Sequence, residues 1–362
     1  MYNIHSHCFT VDNICENYIP GFKTSWFKDP TFKDTALWLL HNLNPFKDDD
    51  LLDKAKAWVT VGTSGTQMEI FEQLMSHYPT GTKFVLLPMD FRFVGGGKPA
   101  QSFEDQLKEL QLITTKYPEQ ALPFVKIDAR NPNLMLDLTT CIENYGFYGI
   151  KLYPPLGYFP NDDRLMPMYE YANRKKLPII THHGRSGVFG WDHVNRSTLK
   201  KYYKASVPSS WDWWWTSIIN KSKYCTDPRN FEPILQRFPD LKICFAHLSG
   251  DFQMVLDGDT SIRGKVDDCW TTITMDYMKK YPNAYMDVSC QAHIGNAKRF
   301  IKEHIIPDKV LRSKCLFGSD WYMTTIFTSP DDALYLEPLS NYLGADVYNQ
   351  LSNENCKTFL GL

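Results

Sequence analysis

Two histidines one residue apart, His5 and His7, close the first strand-like run of the chain in Ile4-His5-Ser6-His7. Alternate residues of a strand project to the same side, so both imidazoles can aim at one point, as a divalent cation requires. Such a pair alone is weak evidence, because short histidine pairs also arise on surfaces. Further candidates close later strand-like segments: His182 in Ile179-Ile180-Thr181-His182-His183, His247 in Ile243-Cys244-Phe245-Ala246-His247, and Asp320 in Leu316-Phe317-Gly318-Ser319-Asp320. A buried histidine standing alone is more often a hydrogen-bonded core residue, and that reading, or a surface one, is kept for His41, His77, His193, His293 and His304. Five groups at strand ends point instead to one polar pocket.

Imidazole and carboxylate ligands without thiolate suit zinc first, with manganese or iron(II) as alternatives. Three histidines and an aspartate leave a position for water, whose pKa a bound metal lowers from about 15.7 towards about 7. Asp320 could both ligate the metal and take that proton. His182 and His183 face opposite sides of their strand, and His182 is chosen as the inward one because it shares a face with Ile180.

The elements that must position these groups alternate between strand and helix, the pattern of a parallel sheet. Strands are expected at the first histidine pair, Phe84–Pro88, Leu122–Ile127, Gly149–Tyr153, Ile179–His182, Leu241–His247, Ala284–Val288 and Cys315–Asp320. Eight such units predict an α/β fold, a (β/α)8 TIM barrel with long inserted βα loops. A single domain spanning 1–362 is expected, with insertions at about 11–80 and 185–225. Every candidate ligand falls at the C-terminal end of its strand, the face that carries the active site in this architecture. Gly95-Gly96-Gly97-Lys98 lacks the spacing of a P-loop and reads as a flexible active-site loop.

Composition excludes several classes of function. A net charge of −2 with 22% charged residues gives no sign of a nucleic-acid or membrane-surface partner. No stretch approaches the length of a membrane helix, and no signal peptide is visible. The 9 cysteines are odd in number and form no CxxC pair, so buried thiols in a reducing cytoplasm are expected.

The series His5-Ser6-His7, Gly149-Ile150-Lys151-Leu152-Tyr153-Pro154, Leu177-Pro178-Ile179-Ile180-Thr181-His182, Ala246-His247-Leu248-Ser249-Gly250 and Phe317-Gly318-Ser319-Asp320 resembles the amidohydrolase superfamily. Within it, the chain is most similar to the amidohydrolase-related branch that includes aminocarboxymuconate-semialdehyde decarboxylase. Tyr281-Pro282-Asn283-Ala284-Tyr285-Met286-Asp287-Val288-Ser289 adds a smaller match. The resemblance implies a metal held by His5, His7, His182 and Asp320, with His247 as a second-metal ligand or an acid/base group. It also places Lys151 where binuclear members carry a carboxylated, metal-bridging lysine. In the branch most resembled the centre is usually mononuclear, and an unmodified Lys151 could meet an anionic substrate group or a developing oxyanion.

The leading functional expectation is a metal-dependent hydrolase acting on an amide, lactone or ester of a small carboxylated compound. Asp320, His247 and Lys151 would be its catalytic groups. A non-oxidative decarboxylase of an aromatic or unsaturated acid would use the same ligands, and a catalytically silent binding barrel is the third reading. Arg185 is expected to clamp a substrate carboxylate, with Tyr153 and Trp214 packing the apolar body. The same tryptophan-rich segment could instead contact a second copy of the chain, so self-association is left open.

Overall fold

The computed structural model describes all residues except 19–22, 30–57, 186, 191–193, 207–208, 211–217, 259–268, 292–293 and 327–335. Eight strands form one sheet in sequential order: β1 (Tyr2–Ser6), β2 (Lys83–Leu86), β3 (Ala121–Ile127), β4 (Gly149–Leu152), β5 (Ile179–Thr181), β6 (Ile243–Phe245), β7 (Ala284–Asp287) and β8 (Cys315–Leu316). Each neighbouring pair is parallel. Helices cross between them, as parallel strands require, which makes the fold a (β/α)8 TIM barrel.

The crossover helices follow from their sequences. Helix α1 (Gln67–Ser76) starts at Thr66, whose hydroxyl accepts from the Glu69 backbone N–H while the Glu69 side chain returns to Thr66, a reciprocal cap. In α2 (Phe103–Lys116) the buried residues Phe103, Gln106, Leu107, Leu110 and Ile113 recur at helical spacing and turn one stripe to the sheet. Alternate strand residues such as Ile4, Val85, Phe124, Ile180, Cys244, Tyr285 and Leu316 form a separate cluster inside the barrel, joined by Phe359 and Leu360 of the C-terminal helix α3 (Asn355–Leu360).

The seam between β8 and β1 closes the barrel and sets the site. Ile4 N–H donates to Phe317 O (3.1 Å), and the Ser319 and Asp320 N–H groups both donate to His5 O (3.2 and 2.7 Å). The β1–β2 register is irregular between Asn3 and Ser6. Strict alternation would turn Ile4 and His5 to opposite sides, but this irregularity brings both inside: Ile4 joins the interior cluster, while His5 faces β4 and β7.

Four connections carry the same self-bracing turn: Asp90 with Arg92, Asp128 with Arg130, Asp162 with Arg164 and Asp227 with Arg229. In each, one carboxylate oxygen accepts from the arginine's own backbone N–H and Nε, and the other from Nη2, at 2.6–3.0 Å. All four aspartates are buried. The glycine-rich run after β2, expected to be a flexible active-site loop, is bonded to the segment that follows β1: Asn17 N–H donates to Gly96 O (2.9 Å) and Glu16 N–H to Lys98 O (3.3 Å).

Gly318 sits where the seam is tightest. A Cβ there would lie 2.7 Å from His5 Cβ and 3.2 Å from His5 N. Gly318→Ala should therefore lower stability by about 1–3 kcal/mol, the usual cost of overpacking. Urea or thermal unfolding measures it, and an unchanged midpoint would count against this account of the seam.

Candidate metal centre

The strand ends converge on a cavity of about 250 Å³ whose walls include His5, His7, His182, His247 and Asp320, with Tyr153 beside them. All five are buried, the most exposed at 7%. Two of these residues sit in left-handed backbone: His247 (φ 64°) and Asp320 (φ 61°), with Cys290 of the same wall at φ 62°. Such conformations are uncommon for non-glycine residues and concentrate at functional sites. Here they turn the chain sharply at the strand ends.

Proton positions on three imidazoles follow from what each Nδ1 faces. His7 Nδ1 lies 2.7 Å from Leu87 O, and His247 Nδ1 lies 3.2 Å from Ser289 O. His5 Nδ1 lies 3.0 Å from an Asp287 carboxylate oxygen. Carbonyls and carboxylates only accept, so each Nδ1 carries hydrogen. Burial pushes the His5 and His247 pKa values below the ordinary 6.5, Lys151 adding to the effect, so these two rings are neutral with lone pairs on Nε2. His182 Nδ1, 3.2 Å from His247 Nε2, must then donate.

Asp320 completes the arrangement. Burial pushes its carboxyl up, but the hydrogen bond with His7 and the neighbouring imidazoles outweigh it and hold it well below the usual range. His7 Nε2 stands 3.1 Å from Asp320 Oδ1, and His5 Nε2 stands 3.5 Å from the same oxygen. Lys151 Nζ, 3.1 Å from His5 Nε2, brings one positive charge to this cluster. His5, His7 and Asp320 together offer two imidazole nitrogens and a carboxylate oxygen, a donor set that suits a divalent cation, and its ligand atoms all lie within 4.8 Å of one another. His5, His247 and Asp287 satisfy the same distance test, but there the carboxylate binds the Nδ1 side of His5, the role of an outer group that orients a ligand.

The other candidate residues fall in different places. His182 lines the cavity, stacked on Tyr153 at 4.4 Å between centroids, while its nitrogens face His247 and Gly187 rather than the three-ligand group. His183 turns outward among Phe231, Phe245 and Trp270, with neither nitrogen hydrogen-bonded, and burial pushes its pKa down to about 3. Lys151 is fully buried with Nζ 3.1 Å from His5 Nε2; burial lowers it to about 8, against the pull of Asp320 and Asp287. Arg185 has a place other than the one expected. Asp251 holds its Nε (2.9 and 3.0 Å) and Nη2 (2.8 Å), and its guanidinium lies over Trp270, so it ties two loops together instead of presenting its fork to the cavity. Trp214 lies outside the described residues.

Part of the insertion after β5 does roof the cavity. Val188 N–H donates to the Tyr153 hydroxyl (3.0 Å), and Phe189 N–H donates to the Tyr18 hydroxyl (3.1 Å), which itself donates to Phe189 O (3.0 Å). Gly187 (φ 134°) lets this strap lie close over the site, since a Cβ there would come within 2.8 Å of His182 Nε2 and of the Tyr153 hydroxyl. Sequence reasoning assigned no role to Asp287 or Ser289. Their signal was the one used for Asp320, a carboxylate at the C-terminal end of a strand.

Comparison with known proteins agrees with this geometry. The amidohydrolase family model matches residues 97–362, and the chain belongs to that family of metal-dependent enzymes. His5 and His7 precede the matched span. Among solved structures, the chain resembles 5-carboxyvanillate decarboxylase from Novosphingobium aromaticivorans with bound manganese (TM-score 0.55, 12% identity, 100% of this chain and 97% of that one). It also resembles 2,6-dihydroxybenzoate decarboxylase from Rhizobium (0.54, 13%, 99% and 98%) and 4-oxalomesaconate hydratase from Rhodopseudomonas palustris (0.51, 14%, 100% and 95%). At these identities the likeness is one of fold. No helix among the described residues is long and apolar enough to cross a membrane.

His7→Ala and Asp320→Asn should each lower metal content sharply, by elemental analysis of protein dialysed against a fixed free-metal concentration. His183→Phe should leave metal content unchanged, because that ring faces away from the ligands. Metal loss in the His183 variant, or full occupancy in the other two, would contradict the assignment.

Proposed function

We propose that the protein is a divalent-metal-dependent hydrolase that directs water at the carbonyl carbon of an amide, lactone or ester of a small carboxylated compound. Zinc suits the nitrogen-rich ligand set, with manganese or iron(II) as alternatives. The observation that carries the reading is the convergence of buried imidazoles and a carboxylate on one cavity: His247 and His182 are linked Nε2 to Nδ1 on its wall, and Asp320 is held ionised. When bound, the metal would polarise the carbonyl and acidify water. Around it, Asp320 and His247 accept and return protons, while Lys151 answers negative charge that grows on the substrate. With Arg185 committed to Asp251, Lys151 is also the cation proposed to meet a substrate carboxylate. The protein would act on small molecules, without nucleic-acid or membrane partners, and the cytoplasm is its proposed compartment.

A second reading, non-oxidative decarboxylation, draws support from the apolar part of the wall. Phe9, Met89, Val188 and Met323 line the cavity with Tyr153, a setting that favours conversion of a carboxylate to neutral carbon dioxide. The names of two similar structures point the same way. A panel of small lactones, esters and amides, run beside aromatic and unsaturated acids, separates the two. Ring opening or cleavage without carbon dioxide supports the hydrolase, and carbon dioxide release from the acids replaces it with the lyase.

The pH dependence follows from the buried imidazoles. Their pKa values lie below 6.5, so both rings are neutral at pH 7 and take protons only as the pH falls through those values. The kcat/KM profile should therefore be flat near neutrality and drop on the acid side with a midpoint below 6.5. An acid limb centred above 7 would contradict these protonation states.

A further inference from the structure

We propose that Asp287 and Ser289 form one positioning unit that sets the tautomers of both His5 and His247. The inference rests on reading His5 as a metal ligand and His247 as an acid/base group. Both Asp287 and Ser289 are fully buried at the end of β7, and neither is among the residues lining the cavity.

The two carboxylate oxygens of Asp287 serve different groups. Oδ2 accepts from His5 Nδ1 at 3.0 Å and from the Cys244 thiol, with Sγ at 3.8 Å. Oδ1 accepts from the backbone N–H of His247 (3.0 Å), the backbone N–H of Ser289 (3.0 Å) and the Ser289 hydroxyl. Ser289 has one hydroxyl proton and gives it to Asp287. Its oxygen can then only accept from the nitrogens beside it, His247 Nδ1 at 2.9 Å and His5 Nδ1 at 3.2 Å. One buried carboxylate thus keeps hydrogen on His5 Nδ1 directly and, through the hydroxyl and together with Ser289 O, on His247 Nδ1. The acceptor sites are left on Nε2, that of His5 towards Lys151 Nζ and that of His247 towards His182 Nδ1.

This arrangement makes Asp287→Asn a sharp test, because the variant keeps the shape and changes only the bonding. The amide oxygen must take the Oδ1 position, where two backbone N–H groups and a hydroxyl need an acceptor. The amide NH2 then faces His5 Nδ1, which must give up its hydrogen. His5 is forced into the Nε2–H tautomer, the form unable to bind a metal through Nε2. In Ser289→Ala, by contrast, the Asp287–His5 bond stays; His5 Nδ1 loses only its longer contact at 3.2 Å, and His247 Nδ1 loses the hydroxyl but keeps Ser289 O.

The experiment is long-range 1H–15N spectroscopy of histidine-labelled protein, recorded before metal is added, followed by titration with Zn²⁺ alone. In Asp287→Asn the His5 nitrogens should exchange their protonated and unprotonated signatures, and zinc affinity should fall by about 10–100-fold, the usual effect of losing an outer partner. In Ser289→Ala the His5 signature should stay, zinc affinity should remain within about 3-fold of the parent, and the His247 Nδ1 signal should move or broaden. An unchanged His5 tautomer in Asp287→Asn, or an unchanged His247 signal in Ser289→Ala, overturns the proposal. If Asp287→Asn fails to fold, the Ser289→Ala spectrum decides alone. Tautomers that shift as expected in a protein that never takes up zinc would uphold the positioning unit and reject the metal reading.

Discussion

Repulsion organises the centre of this protein. The Nε2 atom of His5 and Asp320 Oδ1 are packed with lone pairs towards each other, and His7 Nε2 approaches the same oxygen at 3.1 Å. Lys151 Nζ, 3.1 Å from His5 Nε2, and the hydrogen bond between His7 and Asp320 ease part of this conflict, while the rings themselves are fixed from behind. Leu87 O and the Asp287 carboxylate hold hydrogen on the far nitrogens, and burial removes water that might screen the charge. The cluster is therefore one that a divalent cation would suit. The selectivity of the site is thus written as much in the acceptors behind the imidazoles as in the imidazoles themselves.

Holding such a cluster together requires a frame that does not yield, and the closed barrel provides it. The β8–β1 seam joins the backbone of His5 directly to that of Asp320, so two of the groups that oppose each other are fixed by shared hydrogen bonds. His182 and His247 come from strands that are also neighbours, while Lys151 reaches across from β4. The left-handed turns at His247 and Asp320 are local distortions held in place by the sheet around them.

Much of this was legible in the sequence because it depends on local order. Eight strand-like runs separated by helical stripes define the barrel, and the placement of His5, His7, His247 and Asp320 at strand ends needs only the position of each strand. The choice of His182 over His183 followed from a period of two along β5, where Ile180 lies inside. What was hidden depends on contacts distant in sequence. The irregularity in β1 that turns His5 inward beside Ile4 comes from pairing with β2. Asp251, the residue that claims Arg185, lies 66 positions away. Asp287 looks like any strand-end carboxylate until its five donors are seen.

The four aspartate–arginine turns have a different consequence. Each is closed within three residues, and two reach further: Arg92 also pairs with Glu104 and Asp137, and Arg130 Nη1 donates to Phe93 O. A charge pair of this kind also resists unravelling, because freeing the arginine would leave a buried carboxylate uncompensated. The rim after β2 and β3 therefore behaves as one clamp, in which a change to either loop is felt by the other. For anyone redesigning the mouth of this enzyme, the Asp90 and Asp128 turns mark the part to leave intact.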